Sequence, residues 1–487
     1  MSATRRLCSV GIDVGTTTTQ VIFSALEVIN RAPVNQVPRY EFSRRDILFE
    51  SPVVFTPFTA DRQVDVVALR RFVDAQYAAA GLSLAEVESG AIIITGETSK
   101  SRNARSAVLQ LADALGDFVV ATAGPHLESL IAGRGSGAAE YSRVNACRVL
   151  NIDIGGGTSN YAVFVGGRLV DSACLNVGGH LVETDIQGRV TRVHAPARQV
   201  CTYLFGAATD PQCLVPAQLT ALAACQAGLV VEVACGRSSP LADELLMTAP
   251  LHECAPYDAL FISGGVGACL YHPELASSDY AFGDLGPQLA YALAPLLPPL
   301  ARSLPEPPQT VRATVIGAGA HTLSLSGSTI WLDTARLPLK NLPVAHPAAA
   351  STEGLAQAWA AAVRRLDLEA PRDAYALALP AAIEPRYREV VAVGAELERF
   401  CREAAHGNAH PLIVVCPQDL GKALGMELSP QLRGRELAVI DEVATQEGDF
   451  LDIGQPIFDG RLVPITVKSL AFPSPRETIP AVSRRPF

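Results

Sequence analysis

Apolar residues fall along this chain in two kinds of run. The first kind is short, β-branched and ends near glycine. Residues 7–14, 90–95, 118–121, 148–154 and 259–263 are of this kind, and the pattern predicts strands. The second kind is longer, with apolar positions at helical spacing. It covers residues 64–80, stopped by Gly81, residues 106–115, stopped by Gly116, and residues 217–233. Gly124-Pro125 opens another helix, which leaves through Gly133, Gly135 and Gly137. Residues 19–24 and 161–165 read as returning strands of hairpins, and Gly166-Gly167 turns the second into residues 168–173. Residues 47–55 are a further extended run. Strands, hairpins and crossover helices in this order predict an α/β fold.

The order occurs twice. Gly11-Ile12-Asp13-Val14-Gly15-Thr16 is matched by Asn151-Ile152-Asp153-Ile154-Gly155-Gly156-Gly157-Thr158. Two duplicated α/β halves with a ligand between them are expected, over residues 1–147 and 148–338. A Pro-rich stretch at 295–308 reads as an exposed connection, and the Pro/Ala-rich stretch at 338–352 as a boundary. Residues 339–487 then carry their own alternation: helix 356–366, strand 374–379, helix 387–403, strand 412–416. This predicts a smaller appended α/β unit with a loose tail from Pro473.

Composition narrows the function. The 487 residues are 49% hydrophobic and 18% charged, enough for roughly three cored domains of ~150 residues. A net charge of −10 argues against a nucleic-acid partner or an anionic membrane surface. The first seven residues hold no apolar leader core. The apolar stretch 217–235 contains Gln218, Gln226, Gly228 and Glu232, so a buried helix is expected rather than a membrane span. The eleven cysteines show no C-x-x-C spacing and read as reduced thiols, without a zinc site.

The chemistry lies in the two turns. In each, an aspartate ends a strand, glycines let the backbone approach an anion, and threonines add donors. Asp13 with Gly15, Thr16, Thr17 and Thr18 forms the first. Asp153 with Gly155, Gly156, Gly157 and Thr158 forms the second. The two aspartates can share one hydrated Mg²⁺, which takes few carboxylates and keeps its waters. Alone, either cluster reads as a tight turn, and either aspartate as a cap of its own turn. Two in matching contexts describe a clamp on a nucleotide's phosphates.

In their order the motifs resemble the nucleotide site of the actin-like ATPase superfamily. Asp13 to Thr18 is similar to its first phosphate motif and Asp153 to Thr158 to its second. Phe261-Ile262-Ser263-Gly264-Gly265-Val266-Gly267 is similar to its adenosine motif, which implies ATP contacts at Gly264, Gly265 and Gly267. Residues 123–133 and 315–322 resemble its two connecting helices. Chaperone-like members carry Glu-Pro at the start of the first connecting helix, where this chain has Gly124-Pro125. The carboxylate that orients water is therefore sought at Glu97 or Glu128, each of which also reads as an ordinary surface carboxylate. Lys100, Arg102 and Arg105 read as a solvated charge run, and His126, His180, His194 and His321 lack metal-ligand spacing. Hydrolysis by positioning alone would be slow, which suits a switch.

A closer resemblance runs through almost the whole chain. Residues 9–24, 91–97, 123–133, 149–161, 317–331, 419–426 and 463–472 are similar to the family of ethanolamine ammonia-lyase reactivating factors, ethanolamine-utilisation protein A. The resemblance implies a chaperone that uses ATP and Mg²⁺ to open ethanolamine ammonia-lyase. Damaged cobalamin then leaves and adenosylcobalamin enters, so cobalamin is met only through the lyase. It also implies a cytoplasmic protein, in the open cytoplasm or a bacterial microcompartment, with a homodimer as one allowed assembly. Two other readings share the phosphate motifs. A small-molecule kinase would need a base, for which Asp185 is the candidate against a plain hairpin turn ending at Gly188. A filament-forming relative would polymerise with ATP.

Overall fold

The structure is a computed structural model. It describes residues 4–15, 18–30, 40–52, 54–59, 61, 63–87, 89–94, 111, 119–122, 124–308, 320–325, 330–333, 336–349, 351–432, 434–454 and 463–469. The first sheet contains β1 (Thr4–Val14), β2 (Thr18–Asn30), β3 (Tyr40–Glu50), a short β4 (Val54–Phe55), β5 (Ser89–Ile94) and β6 (Val119–Thr122). Its order is β3-β2-β1-β5-β6, with β4 on β2. β2 runs well past the expected residue 24, because β1 and β3 both pair with it and satisfy its backbone groups. Val10, Ile12, Val21 and Phe23 bury one face against Leu69 and Val73 of the helix Val66–Ala80. Asp65 caps that helix by accepting from the Ala68 N–H at 2.9 Å, and Gly81 ends it at φ +69°. The helix expected at 106–115 lies outside the described residues except for Leu111.

The second sheet begins with β7 (Arg148–Ile154), β8 (Ser159–Val165) and β9 (Arg168–Leu175). A separate ribbon, β10 (Val182–Thr184) with β11 (Val190–Val193), follows. β12 (Tyr257–Ser263) and β13 (Ala301–Ser303) complete the sheet in the order β13-β12-β7-β8-β9. Taken from its other edge, this is the first sheet again. β7 and β8 form the antiparallel hairpin, β9 adds antiparallel, and β12 and β13 add parallel on the far side. β1, β2, β3, β5 and β6 have the same senses. The duplicated motif thus sits in a duplicated topology.

The helix Pro216–Ala234 is the one described helix long and apolar enough to cross a membrane. Here it is a core helix. Leu219, Leu222, Val230 and Val233 are buried with the second sheet, and Tyr161 and Tyr257 donate from that sheet to its Val230 and Ala234 carbonyls.

The third sheet has eight strands: β14 (Ala320–Leu325), β15 (Trp331–Asp333), β16 (Leu339–Ala345), β17 (Ala376–Ala378), β18 (Leu412–Val415), β19 (Leu437–Ile440), β20 (Asp449–Ile453) and β21 (Pro464–Ser469). Their order is β14-β21-β20-β16-β17-β18-β19-β15. The sheet therefore takes β14 and β15 from before residue 339. Trp359 and Phe400, on the helices Leu355–Arg365 and Tyr387–Glu403, pack edge to face with centroids 6.3 Å apart. They belong to one continuous core with Leu127, Leu130 and Ile131 of the helix Pro125–Gly135 and with Phe164 of β8. Polar contacts cross the same boundary. Arg134 donates to the Glu447 carbonyl at 2.6 Å, and the His126 N–H donates to the Asp367 carboxylate at 3.2 Å. The appended unit is built onto the connecting helix.

Candidate functional site

Asp13 and Asp153 stand at the same place in the two sheets, one residue before the end of the central strand. Asp13 lies opposite Gln20 on β2, and Asp153 lies opposite Asn160 on β8. Asp13 is half-buried, and the Gly15 carbonyl after it accepts from the Thr56 hydroxyl at 2.8 Å. That hydroxyl also lies 3.0 Å from the Thr19 hydroxyl, which ties β4 to the turn. Thr18 opens β2; Thr16 and Thr17 lie outside the described residues.

Asp153 is buried, and a chain of hydrogen bonds reaches it. The Ser136 hydroxyl donates to Asn151 Oδ1 at 2.8 Å, Asn151 Nδ2 donates to Ser263 Oγ at 3.2 Å, and Ser263 Oγ donates to Asp153 Oδ1 at 2.6 Å. Burial pushes the Asp153 carboxyl up to about 6, and the Ser263 bond opposes that rise. Ser136 follows the connecting helix and Ser263 ends β12, so one relay joins three elements at the carboxylate. The sequence reading assigned no role to Ser136, nor to Asn151 within the second motif. Asn151 was visible as a polar residue inside an apolar strand, a position that demands partners.

The second turn is closed by the Gly155 N–H donating to the Thr158 carbonyl at 3.0 Å. It is backed by a segment that the motif reading also missed. The N–H groups of Gly179 and His180 donate to the carbonyls of Gly155 and Gly156 at 3.0 and 2.7 Å. A Cβ at Gly178 would stand 2.6 Å from the Gly156 carbonyl oxygen, so only glycine allows this approach.

Of the three glycines after β12, Gly264 does the joining. It has φ +84°, and a Cβ there would lie 2.3 Å from the Ile154 carbonyl oxygen. The start of the helix Gly264–Tyr271 is thereby pressed against the end of β7. Gly267 is crowded by the Ile262 carbonyl, whereas Gly155 and Gly265 face open space. Crowded backs and open fronts make a cradle. With the strand-end carboxylate of Asp153 beside it, the donor set suits a phosphate chain and Mg²⁺.

Glu128 is buried in the first turn of the connecting helix, not on the surface. Glu97 lies outside the described residues, as do Lys100, Arg102 and Arg105. His126 Nδ1 meets Ser172 Oγ at 2.8 Å, and burial lowers its pKa. Asp185 is occupied in the turn between β10 and β11. Its Oδ1 accepts from the N–H groups of Gln187 and Arg189, both at 2.9 Å, and Gly188 follows at φ +82°. This is the hairpin role, which leaves the kinase reading without its base.

Two α/β halves of one topology, each with an aspartate and a glycine turn ending its central strand, define the class: this is the actin-like ATPase fold. Comparison with known proteins gives the family. The chain belongs to the family of ethanolamine utilisation protein EutA, whose model matches residues 5–473. It is 55% identical to the ethanolamine ammonia-lyase reactivase EutA of Salmonella typhimurium, over 97% of this chain and 100% of that protein. It is 54% identical to the protein of the same name from Escherichia coli, with the same coverage. Among solved structures, the Aquifex aeolicus PPX-GPPA enzyme aligns at TM-score 0.39 and 12% identity, over 64% of this chain and 99% of that one.

Proposed function

We propose that this protein is an ATP-dependent chaperone that reactivates ethanolamine ammonia-lyase by letting damaged cobalamin exchange for intact adenosylcobalamin. The observation that carries the reading is the extent of the likeness. Identity of 55% with a protein named as that reactivase runs over 97% of the chain, so it includes the appended unit as well as the phosphate turns.

In this reading, ATP with Mg²⁺ supplies a charged group whose presence and loss favour different arrangements of the two halves. Asp13 and Asp153 hold the cation, directly or through its waters. Gly15, Thr16, Thr17 and Thr18 face the phosphates from one half, and Gly155, Gly156, Gly157 and Thr158 from the other. Gly264, Gly265 and Gly267 line the adenosine side. Glu128 and Glu97 are candidates to set a water for slow hydrolysis. The states must differ in affinity for the lyase, since a ligand shifts an equilibrium only by its differential affinity. Cobalamin is contacted by the lyase, not by this chain. A cytoplasmic setting, a microcompartment and a homodimer belong to the same proposal.

Calorimetric titration of Mg-ATP into wild type, Asp13→Asn and Asp153→Asn tests the site. Binding lost in both variants supports the two-aspartate clamp, and unchanged binding removes it. Phosphorylation of a small acceptor, or sedimentation of filaments with ATP, would instead favour a kinase or a cytoskeletal protein.

A further inference from the structure

The connecting helix begins at a buried glycine, and what stands beside that glycine comes from the appended unit. A Cβ built on Gly124 would lie 2.2 Å from Asp367 Cγ and 2.4 Å from Asp367 Oδ2. The carboxylate of Asp367 therefore fills the space where a side chain at position 124 would begin. Asp367 sits two residues past the helix Leu355–Arg365, in the left-handed region at φ +57°. Its Oδ2 accepts from the N–H groups of His126 at 3.2 Å and Leu127 at 3.3 Å, the second and third residues of the connecting helix.

The sheet register locates this carboxylate. β6 runs parallel to β5 and β5 parallel to β1, with Thr122, Ile94 and Val14 level with one another. Gly124 follows two residues after Thr122. Asp367 thus lies beyond the end of β6, and β6 is two strands, on the order of 10 Å, from the β1 that carries Asp13. The helix it touches crosses to the second sheet, where His126 meets Ser172 of β9. The position is between the halves. Asp367 is also exposed to solvent, while the protein that walls its other sides raises its carboxyl above the ordinary range. A helix cap accounts for the two hydrogen bonds. A solvent-reachable carboxylate between the phosphate-bearing halves has a second use.

We propose that Asp367 supplies, from the appended unit, the carboxylate that orients the attacking water in nucleotide hydrolysis. The inference rests on the ATPase reading above. The water oxygen bonds to the γ-phosphorus while the bond from that phosphorus to the β–γ bridging oxygen breaks. ADP departs, and the water proton passes through the carboxylate to the phosphate product. Turnover would then require the appended unit to stay docked on the connecting helix.

The test is Asp367→Asn in the full-length chain. Asparagine keeps an oxygen for the cap and tolerates the left-handed backbone, but cannot take the proton. The turnover rate should fall at least ~100-fold. The Kd for Mg-ATP should stay within about twofold and the melting temperature should not move. In Gly124→Glu/Asp367→Gly the carboxylate is returned to the helix, and part of the rate lost in Asp367→Gly should return. If Asp367→Asn does not fold, this pair carries the test, and no gain in the double variant overturns the proposal. Wild-type turnover in Asp367→Asn, with turnover lost in Asp153→Asn, would make Asp367 a cap only and leave the ATPase reading standing. A wild type that neither binds nor hydrolyses Mg-ATP would overturn both.

Discussion

Ser263 Oγ stands 2.6 Å from Asp153 Oδ1, and this contact fixes the end of β12 to the carboxylate at the end of β7. Both residues are buried, so the hydroxyl is the donor that makes an ionised Asp153 tolerable there. Ser263→Ala removes it. A lost bond to a charged group costs about 1.5–3 kcal/mol. The melting temperature should fall by a few degrees, and the Mg²⁺ concentration needed to support nucleotide binding should rise. Thermal unfolding and a Mg²⁺ titration check the two effects. If the variant keeps wild-type Mg²⁺ dependence, the contact plays no part in cation binding.

The same carboxylate gives a pH dependence with a definite sign. Burial raises Asp153 from 3.8 to about 6, so the folded, cation-free protein holds this proton more tightly than the unfolded chain. Its contribution to stability is full below 3.8 and is lost as pH rises through about 6. Mg²⁺ needs the ionised form, so its binding strengthens over the same window. Below pH 6 the apparent affinity for Mg²⁺ should weaken about tenfold per pH unit. Titration with a fluorescent nucleotide across this range reads the slope, and a flat profile removes Asp153 from the cation site.

Gly264→Ala and Gly265→Ala form a contrasting pair. The first places a Cβ 2.3 Å from the Ile154 carbonyl oxygen at φ +84°, whereas the second meets open space. Gly264→Ala should cost at least about 1–3 kcal/mol and weaken nucleotide binding with it. Gly265→Ala should leave the melting temperature unchanged. Equal melting temperatures for the two would show that β7 and the helix after β12 do not press together.

Glu128→Gln tests the buried carboxylate of the connecting helix. The shape is kept, so nucleotide affinity should hold, and hydrolysis should slow by less than in Asp367→Asn if Asp367 orients the water. Single-turnover kinetics separates these effects. An unchanged rate would take Glu128 out of the water's surroundings.

What the sequence revealed and what it concealed divide along sequence distance. The hairpin around Asp13, the hairpin around Asp153 and the left-handed Gly264 are local, and their residue types state them directly. Asp185 was legible too, since Asp followed by Gly three residues on is the chemistry of a turn. The backing of the second turn by Gly178 to His180 was not legible, because a glycine pair does not say what will approach it. Asp367 beside Gly124 was not legible at all. The two are more than 240 residues apart, and neither pattern predicts the other. The third sheet hid its first strand for the same reason: residues 320–322 were expected in the second connecting helix, but they belong to β14, which pairs with β21 near the far end of the chain. The departure from Glu-Pro at Gly124 was read only as a missing carboxylate; the packing shows what stands in its space.

Reactivation of the lyase can be read in one assay. Ethanolamine ammonia-lyase carrying an inactivated cobalamin is mixed with this protein, adenosylcobalamin and Mg²⁺, with or without ATP. Recovery of ammonia release is expected only when ATP and this protein are both present, with no recovery for Asp153→Asn. Recovery without ATP, or none while ATP is still consumed, would contradict ATP-dependent reactivation.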